Sequence, residues 1–229
     1  MSNKSLQELL KTDDPAWNGV QASLRAAPNL VEVLPADPMD GQRTIQAIQA
    51  AADTTLGAIA LNSGGVLVDH GWLRVLGAGH LRLPGSLLDW NGLGQTRAIR
   101  TVSGGLVVAW DVIGGFFAVN AGGLPGPEGL LSYYAPDHHR WVETGFGYTT
   151  FLEWCAEGDL SGFYNHLRWA DWEEDVLALR GDQALHLWPQ PWMVSPFNPD
   201  ESTRQTVPAT ALPELVFTGR PPQPEAPAN

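Results

Sequence analysis

Asp69-His70 and Asp137-His138-His139 are the places in this chain where imidazole and carboxylate stand side by side. Such neighbours can relay protons or ligate a metal, since the two ring nitrogens of histidine take distinct roles. Both fall in turn-like sequence. A zinc site needs three or four ligands, and no HxH on a strand or HxxxH on a helix supplies the rest. Only convergence of His70, His80 and a distant carboxylate would build one, so neither metal nor cofactor is expected. Nucleophile signals are weaker. Ser63-Gly64 and Ser103-Gly104 lack the Gly-x-Ser-x-Gly elbow that presents a hydroxyl to a base. Gly77-Ala78-Gly79 lacks the third glycine and following helix of a dinucleotide fingerprint. The single cysteine, Cys155, excludes an internal disulfide. Its setting in Phe151-Leu152-Glu153-Trp154-Cys155 suits a buried helical thiol better than a nucleophile. On these grounds the chain reads as a non-enzyme.

Binding chemistry has more support. Asp69 with Trp72, Asp89 with Trp90, Trp110 with Asp111, and Trp169 with Asp171-Trp172 set acids beside large rings. A protein interface uses tryptophan as an anchor and carboxylates to steer a basic partner. Asp69, Trp72, Asp89, Trp90, Asp111 and Trp169 are therefore the candidate partner-binding residues, and their indoles would have to be exposed. The competing expectation is that the ten tryptophans fill core space while the adjacent acids face water. A second class of function is a small-ligand protein or hydrolase with a pocket near Asp69, His70 and His80.

The net charge of −12 argues against nucleic acid as a partner and suits a basic protein instead. No run approaches the roughly 18 apolar residues of a membrane span. Met1-Ser2-Asn3-Lys4 leads into an amphipathic stretch rather than the apolar core of a signal peptide, so a cytoplasmic location is expected.

The elements that must position these residues follow from period and punctuation. Four Gly-Gly pairs, at Gly64, Gly104, Gly114 and Gly122, sit beside short apolar runs and read as turns of a meander. Strands are expected at Leu56–Leu61, Val66–Val68, Trp72–Leu76, Arg97–Val102, Leu106–Val112, Phe116–Asn120, Leu130–Tyr134 and Arg140–Glu143, with Val31–Leu34 as an edge. Leu106-Val107-Val108-Ala109-Trp110 is continuously apolar, so it belongs in the centre with both faces covered. Helices are expected after Asp14-Pro15, at Gly41–Ala52 capped by Asp40, as a short turn at Ser86–Trp90, and from Tyr148 onward. Asp171 should cap Trp172–Leu179, which Gly181 ends. Leu185–Val194, broken by Pro189 and Pro191, should be an irregular arm. The fold class is α+β: a twisted, mainly antiparallel sheet of about six strands with helices from both ends packed on it. Residues 1–217 form one domain, and 218–229, with four prolines, form a disordered tail.

Two resemblances extend this reading. Asp13-Asp14-Pro15-Ala16-Trp17, the stretch GGVLVDHGWLRVLG at 64–77 and the stretch DVIGGFFAVN at 111–120 resemble a bacterial family of uncharacterised cytoplasmic proteins. The likeness runs on through Gly145-Phe146-Gly147-Tyr148, Leu167-Arg168-Trp169 and Gly181-Asp182-Gln183-Ala184, over roughly residues 5–195. The order of elements over about Leu56–Cys155, a Gly-Gly turn, an apolar strand, the Gly-Gly-Phe-Phe-Ala-Val-Asn hairpin and a Tyr-x-x-Phe-Leu helix, is similar to the SUKH superfamily. That likeness implies an α+β domain, many of whose relatives are immunity proteins that neutralise bacterial toxins by binding them. It implies a basic toxin domain as partner and no catalytic residues. Elemental analysis of the purified protein is expected to find no stoichiometric transition metal. About one zinc or iron per chain would instead support the hydrolase reading.

Overall fold

The computed structural model describes residues 3–94 and 102–218. Its centre is a sheet of seven strands: β1 (Val31–Pro35), β2 (Ser63–Val68), β3 (Leu73–Leu76), β4 (Gly105–Asp111), β5 (Phe116–Asn120), β6 (Leu131–Ala135) and β7 (Arg140–Glu143). They lie side by side in chain order, and every neighbouring pair is antiparallel. The α+β class is as expected. β4 is central, and Val108, Ala109 and Trp110 within it are fully buried. The hairpin to β5 turns at Gly114, whose φ of 102° is open to glycine and strained for other residues.

Nine helices surround the sheet among the described residues: α1 (Leu6–Leu10), α2 (Trp17–Ala26), α3 (Pro38–Ile48), α4 (Thr55–Asn62), α5 (Leu87–Asn91), α6 (Tyr148–Glu157), α7 (Leu160–Tyr164), α8 (Trp172–Ala178) and α9 (Leu212–Thr218). Successive strand residues point to opposite faces, so Phe116 and Phe117 show which helix covers which side. Phe117 packs on Phe151 of α6 at 4.8 Å between ring centroids, whereas Phe116 packs on Phe217 of α9 at 5.8 Å. Trp90 of α5 shares the Phe116 side and stacks on Trp110 at 5.3 Å. The sheet is thus a middle layer with helices on each face. A smaller cluster of Leu9, Ile45 and Ala60 ties α1 to α3 and α4.

Several expectations are corrected. Leu56–Leu61 is helix α4, not a strand. Its residues are apolar on all sides, which fits a buried helix as well as a buried strand, and the Thr54 hydroxyl decides the matter by accepting from Gly57 N–H as an N-cap. The helix also needs its neighbour close: a Cβ on Gly41 would lie 2.0 Å from the Leu61 carbonyl oxygen. Gly64-Gly65 is therefore no turn but part of β2, where a Cβ on Gly64 would meet the carbonyls of Pro35 and Gly79 at 2.7 Å. α3 starts three residues earlier than expected, because Pro38 takes the first helical position and Asp37, not Asp40, caps it. α2 begins at Trp17 without a side-chain cap, and Asp171 likewise makes no capping bond to α8, which ends at Ala178 before Gly181.

The arm expected at 185–194 is in part a strand. β8 (Gln183–Trp188) pairs with β9 (Thr203–Pro208) in a separate two-stranded sheet. Pro189 and Pro191 lie just past the end of β8, so they remove no ladder donor. Of the strand expected at Arg97–Val102, all but Val102 lies outside the described residues, as does the tail from 219 onward, and Val102 itself is in no strand.

Cys155 is fully buried on α6, and burial pushes its thiol far above the ordinary range. A thiol reagent is expected to label it slowly in the native protein and rapidly in denaturant; fast native labelling would contradict its place beneath the sheet.

Candidate functional site

Between β2 and β3 the chain reverses through three successive residues with left-handed backbone: Asp69 (φ 53°), His70 (φ 59°) and Gly71 (φ 86°). For the two non-glycine residues this costs on the order of 1 kcal/mol or more each. The surroundings hold the turn in place. Asp69 N–H donates to the Leu30 carbonyl at 2.8 Å, and Trp72 N–H donates back to the Asp69 carbonyl at 2.9 Å. The Asp69 carboxylate accepts from the guanidinium of Arg168, whose side chain is only 6% exposed.

Arg168 itself is caged by aromatic rings. Its guanidinium carbon lies 3.8 Å from the Trp172 ring centroid, 4.7 Å from Trp72 and 5.0 Å from Tyr164. A desolvated guanidinium on ring faces and a carboxylate gains from both. The arginine reaches this place because its N–H closes a turn on the Tyr164 carbonyl at the end of α7, at 3.1 Å. Trp172 then opens α8 and packs edge-on to His70, while Glu173 brings its carboxylate 3.7 Å from His70 Nε2. Trp169 joins the group: it lies 5.8 Å from Trp72, and its indole N–H donates to Asp175 at 2.8 Å. Arg204 of β9 covers its ring at 4.9 Å. A hollow of about 430 Å³ opens here between Asn165, Arg168, Trp172, Glu173 and Asp200.

Three of the six residues singled out from sequence, Asp69, Trp72 and Trp169, therefore meet in one cluster. The other three do not join a common surface. Asp111 is fully buried at the end of β4, where Oδ1 accepts from Gly115 N–H at 2.7 Å and Ile113 N–H at 3.2 Å. Its Oδ2 accepts from the Tyr133 hydroxyl at 3.2 Å. The Tyr164 hydroxyl lies outside hydrogen-bond geometry yet near enough to act on the carboxylate. Asp89 caps α5, accepting from both N–H and hydroxyl of Ser86. Trp90 is 1% exposed. The expectation of exposed indoles is corrected: Trp72, Trp90 and Trp169 lie in the core, because each ring has apolar and aromatic neighbours from more than one layer.

His80 stands elsewhere, with Nδ1 accepting from Arg82 N–H at 3.1 Å, in a groove of about 960 Å³ between α3 and α5 that Asp89 also lines. It shares no surroundings with His70. Among the described residues no group of three or more His, Cys, Asp or Glu is placed to hold a metal ion, and no helix is long and apolar enough to cross a membrane. Sequence reasoning passed over Arg168, Tyr164 and Tyr133. The available signal was an arginine set among Tyr164, Trp169 and Trp172 in a chain with few cations.

Burial raises the Asp111 carboxyl from an ordinary 3.8 to about 6, against the opposing hydrogen bonds from Gly115, Ile113 and Tyr133. The folded chain then keeps a proton that the unfolded chain has released. Stability contributed by this group is full below about 4 and falls as pH rises through about 6. In denaturation curves across this range, the wild type is expected to lose stability relative to Asp111→Asn. A pH-independent difference would show that the carboxylate ionises without hindrance.

Two curated relatives are similar along most of their length. The uncharacterised protein YbfG of Escherichia coli strain K12 is 34% identical over 214 residues, covering 93% of this chain and 96% of its own. An uncharacterised protein of Haemophilus influenzae strain Rd is 35% identical over 186 residues, covering 81% and 82%. No solved structure matches. The motifs around Asp69 and Asp111 lie inside residues 6–212, the span matched by a family described as "Protein of unknown function DUF2625", and this chain belongs to that family.

Proposed function

We propose that this protein is a non-catalytic binding domain that engages a basic protein partner in the cytoplasm, through the face built around Asp69-His70-Gly71. The observation that carries this reading is the turn itself. Two adjacent non-glycine residues are held in left-handed backbone by a partly buried ion pair and an aromatic cage, an expensive arrangement for a simple connection. Strained segments of this kind cluster at ligand clamps because the geometry has to be the same before and after binding.

Charge gives the partner its chemistry. The Arg168 cation is already matched by Asp69, so the free charge in the lining of the hollow is that of two exposed carboxylates, Glu173 and Asp200. A lysine or arginine from a partner entering beside Trp172 would meet Glu173, 58% exposed, and Asp200. Such rim charges act mainly on the association rate. Under the immunity reading that the SUKH likeness implies, the partner is a basic toxin domain whose cleft this face fills. The buried indoles then serve by fixing the turn, and Trp172 is the aromatic residue left to make contact.

Photo-crosslinking residues placed at Glu173 and at Asp200 in the native cell are expected to capture the same basic protein. Its association rate with the purified chain should fall steeply with salt and slow on Glu173→Lys, while dissociation changes less. Arg168→Lys, which keeps the charge but not the stacked fork, should weaken binding through the turn. No crosslink at either position, or binding indifferent to salt and to Glu173→Lys, would sink the reading.

A further inference from the structure

Strand β1 ends the seven-stranded sheet, with β2 as its single neighbour. The bond from Asp69 N–H to the Leu30 carbonyl fixes its hydrogen-bonding phase, because Leu30 and Asp69 continue the register of Val31 with Val68. Bonded and non-bonded pairs alternate along an antiparallel ladder. Glu32 and Leu34 therefore bond to β2, while the N–H and C=O groups of Val31 and Val33 point out of the sheet. Among the described residues no other segment takes them up. The register breaks between Leu34 and Pro35, which closes the open stretch at that end.

Beside this edge runs a groove of about 730 Å³ whose other wall is α2. Trp17, Gln21 and Arg25 line it at intervals of one helical turn, so they share a face. Residues 27–30 connect α2 to β1, which puts Arg25, in the last turn of the helix, toward the start of the strand. The spacing of the two walls matches. Gln21 and Arg25 are about 6 Å apart along a helix axis, and Val31 and Val33 about 7 Å apart along a strand. Arg25 is exposed and forms no ion pair among the described residues. Glu32 also lines the groove, but its side chain leaves the sheet on the face opposite Val31 and Val33, where the fork of Arg82 holds it.

We propose that this edge takes up an extended segment of a partner protein as an added antiparallel strand. An acidic residue of that segment lies opposite Val31 and pairs with Arg25. An apolar residue two places earlier lies opposite Val33 and covers Trp17. In an antiparallel pair one facing residue satisfies both the N–H and the C=O of each valine. Those main-chain bonds supply affinity, and the two side-chain seats supply selectivity. The groove shares no lining residue with the hollow beside Arg168, and its free charge has the opposite sign.

Isothermal titration of the full chain with an acetylated, amidated peptide of sequence TTVTETT tests this. Saturable binding at one site per chain is expected. Lysine in place of the peptide's glutamate should weaken it about fivefold or more. Arg25→Glu should weaken the original peptide by a similar factor and restore the lysine peptide. N-methylation of the peptide's valine or glutamate, whose N–H groups face the edge, should cost at least about tenfold, and N-methylation of the threonine between them should cost little. Val33→Pro removes an outward donor without touching the ladder to β2, and should weaken binding likewise. Circular dichroism checks that each variant folds; the N-methylated peptides need no variant and keep the test valid if Val33→Pro does not. Absence of saturable binding, equal loss from N-methylation at all three positions, or unchanged affinity in folded Arg25→Glu would each overturn the proposal.

Discussion

Val108, Ala109 and Trp110 of β4 lose all contact with water, and the remainder of the architecture follows from covering that strand on both faces. An antiparallel sheet commonly leaves one face to solvent. Here α6 closes one side through Phe151 on Phe117, while α5 and α9 close the other through Trp90 on Trp110 and Phe217 on Phe116. Segments from within and after the meander are therefore needed to finish one core. The helices are short, and five residues of α5 could not persist alone. Their stability comes from the rings they bury, supported by the Ser86–Asp89 capping box.

A core with so many large rings still has to accommodate polar atoms, and it does so by giving them backbone partners. Asn91 reaches across from α5 to bond both the N–H and the carbonyl of Val107, at 2.7 and 2.8 Å, where the β4–β5 register shifts. Arg74 is 3% exposed and donates to the carbonyls of Gly71, Gly181 and Gln183, with Trp110 beneath it at 4.7 Å. That arginine fastens the small β8–β9 sheet to β3, and burial pulls its pKa down to about 10. Asp111 does the same for the hairpin: a Cβ on Gly115 would fall 2.0 Å from its Oδ2, so glycine and carboxylate require each other.

The strained turn and the β4–β5 hairpin are linked through this interior. Asp69 holds Arg168, Arg168 rests on Tyr164, Tyr164 faces Asp111, and Asp111 receives the hydroxyl of Tyr133 on β6. Tyr164, Asp111 and Tyr133 are buried, and Asp69 and Arg168 partly so. The strained turn and the Gly114 hairpin thus share one internal support.

Period and punctuation in the sequence alone determined much of the sheet: the order β2 to β7, the Gly114 hairpin, the central place of the apolar run at 106–110, the short α5 and the buried thiol of Cys155. These are local signals, in which the residues that matter lie within one or two turns of each other. The seam at Leu56–Leu61 was misread because uniform apolarity suits helix and strand alike, while the cap that sets the helix is the single hydroxyl of Thr54. β8 and β9 were illegible for another reason. The polar run Thr203–Pro208 shows no strand signature and becomes a strand by pairing with Gln183–Trp188. Only tertiary structure could sort the acid–indole pairs. Adjacency in the chain put Asp89 beside Trp90 and Asp111 beside Trp110, but a carboxylate and a ring one residue apart point in different directions. The pairs that interact, Asp69 with Arg168 and Arg168 with Trp72, span 99 and 96 residues, a separation that no local pattern encodes.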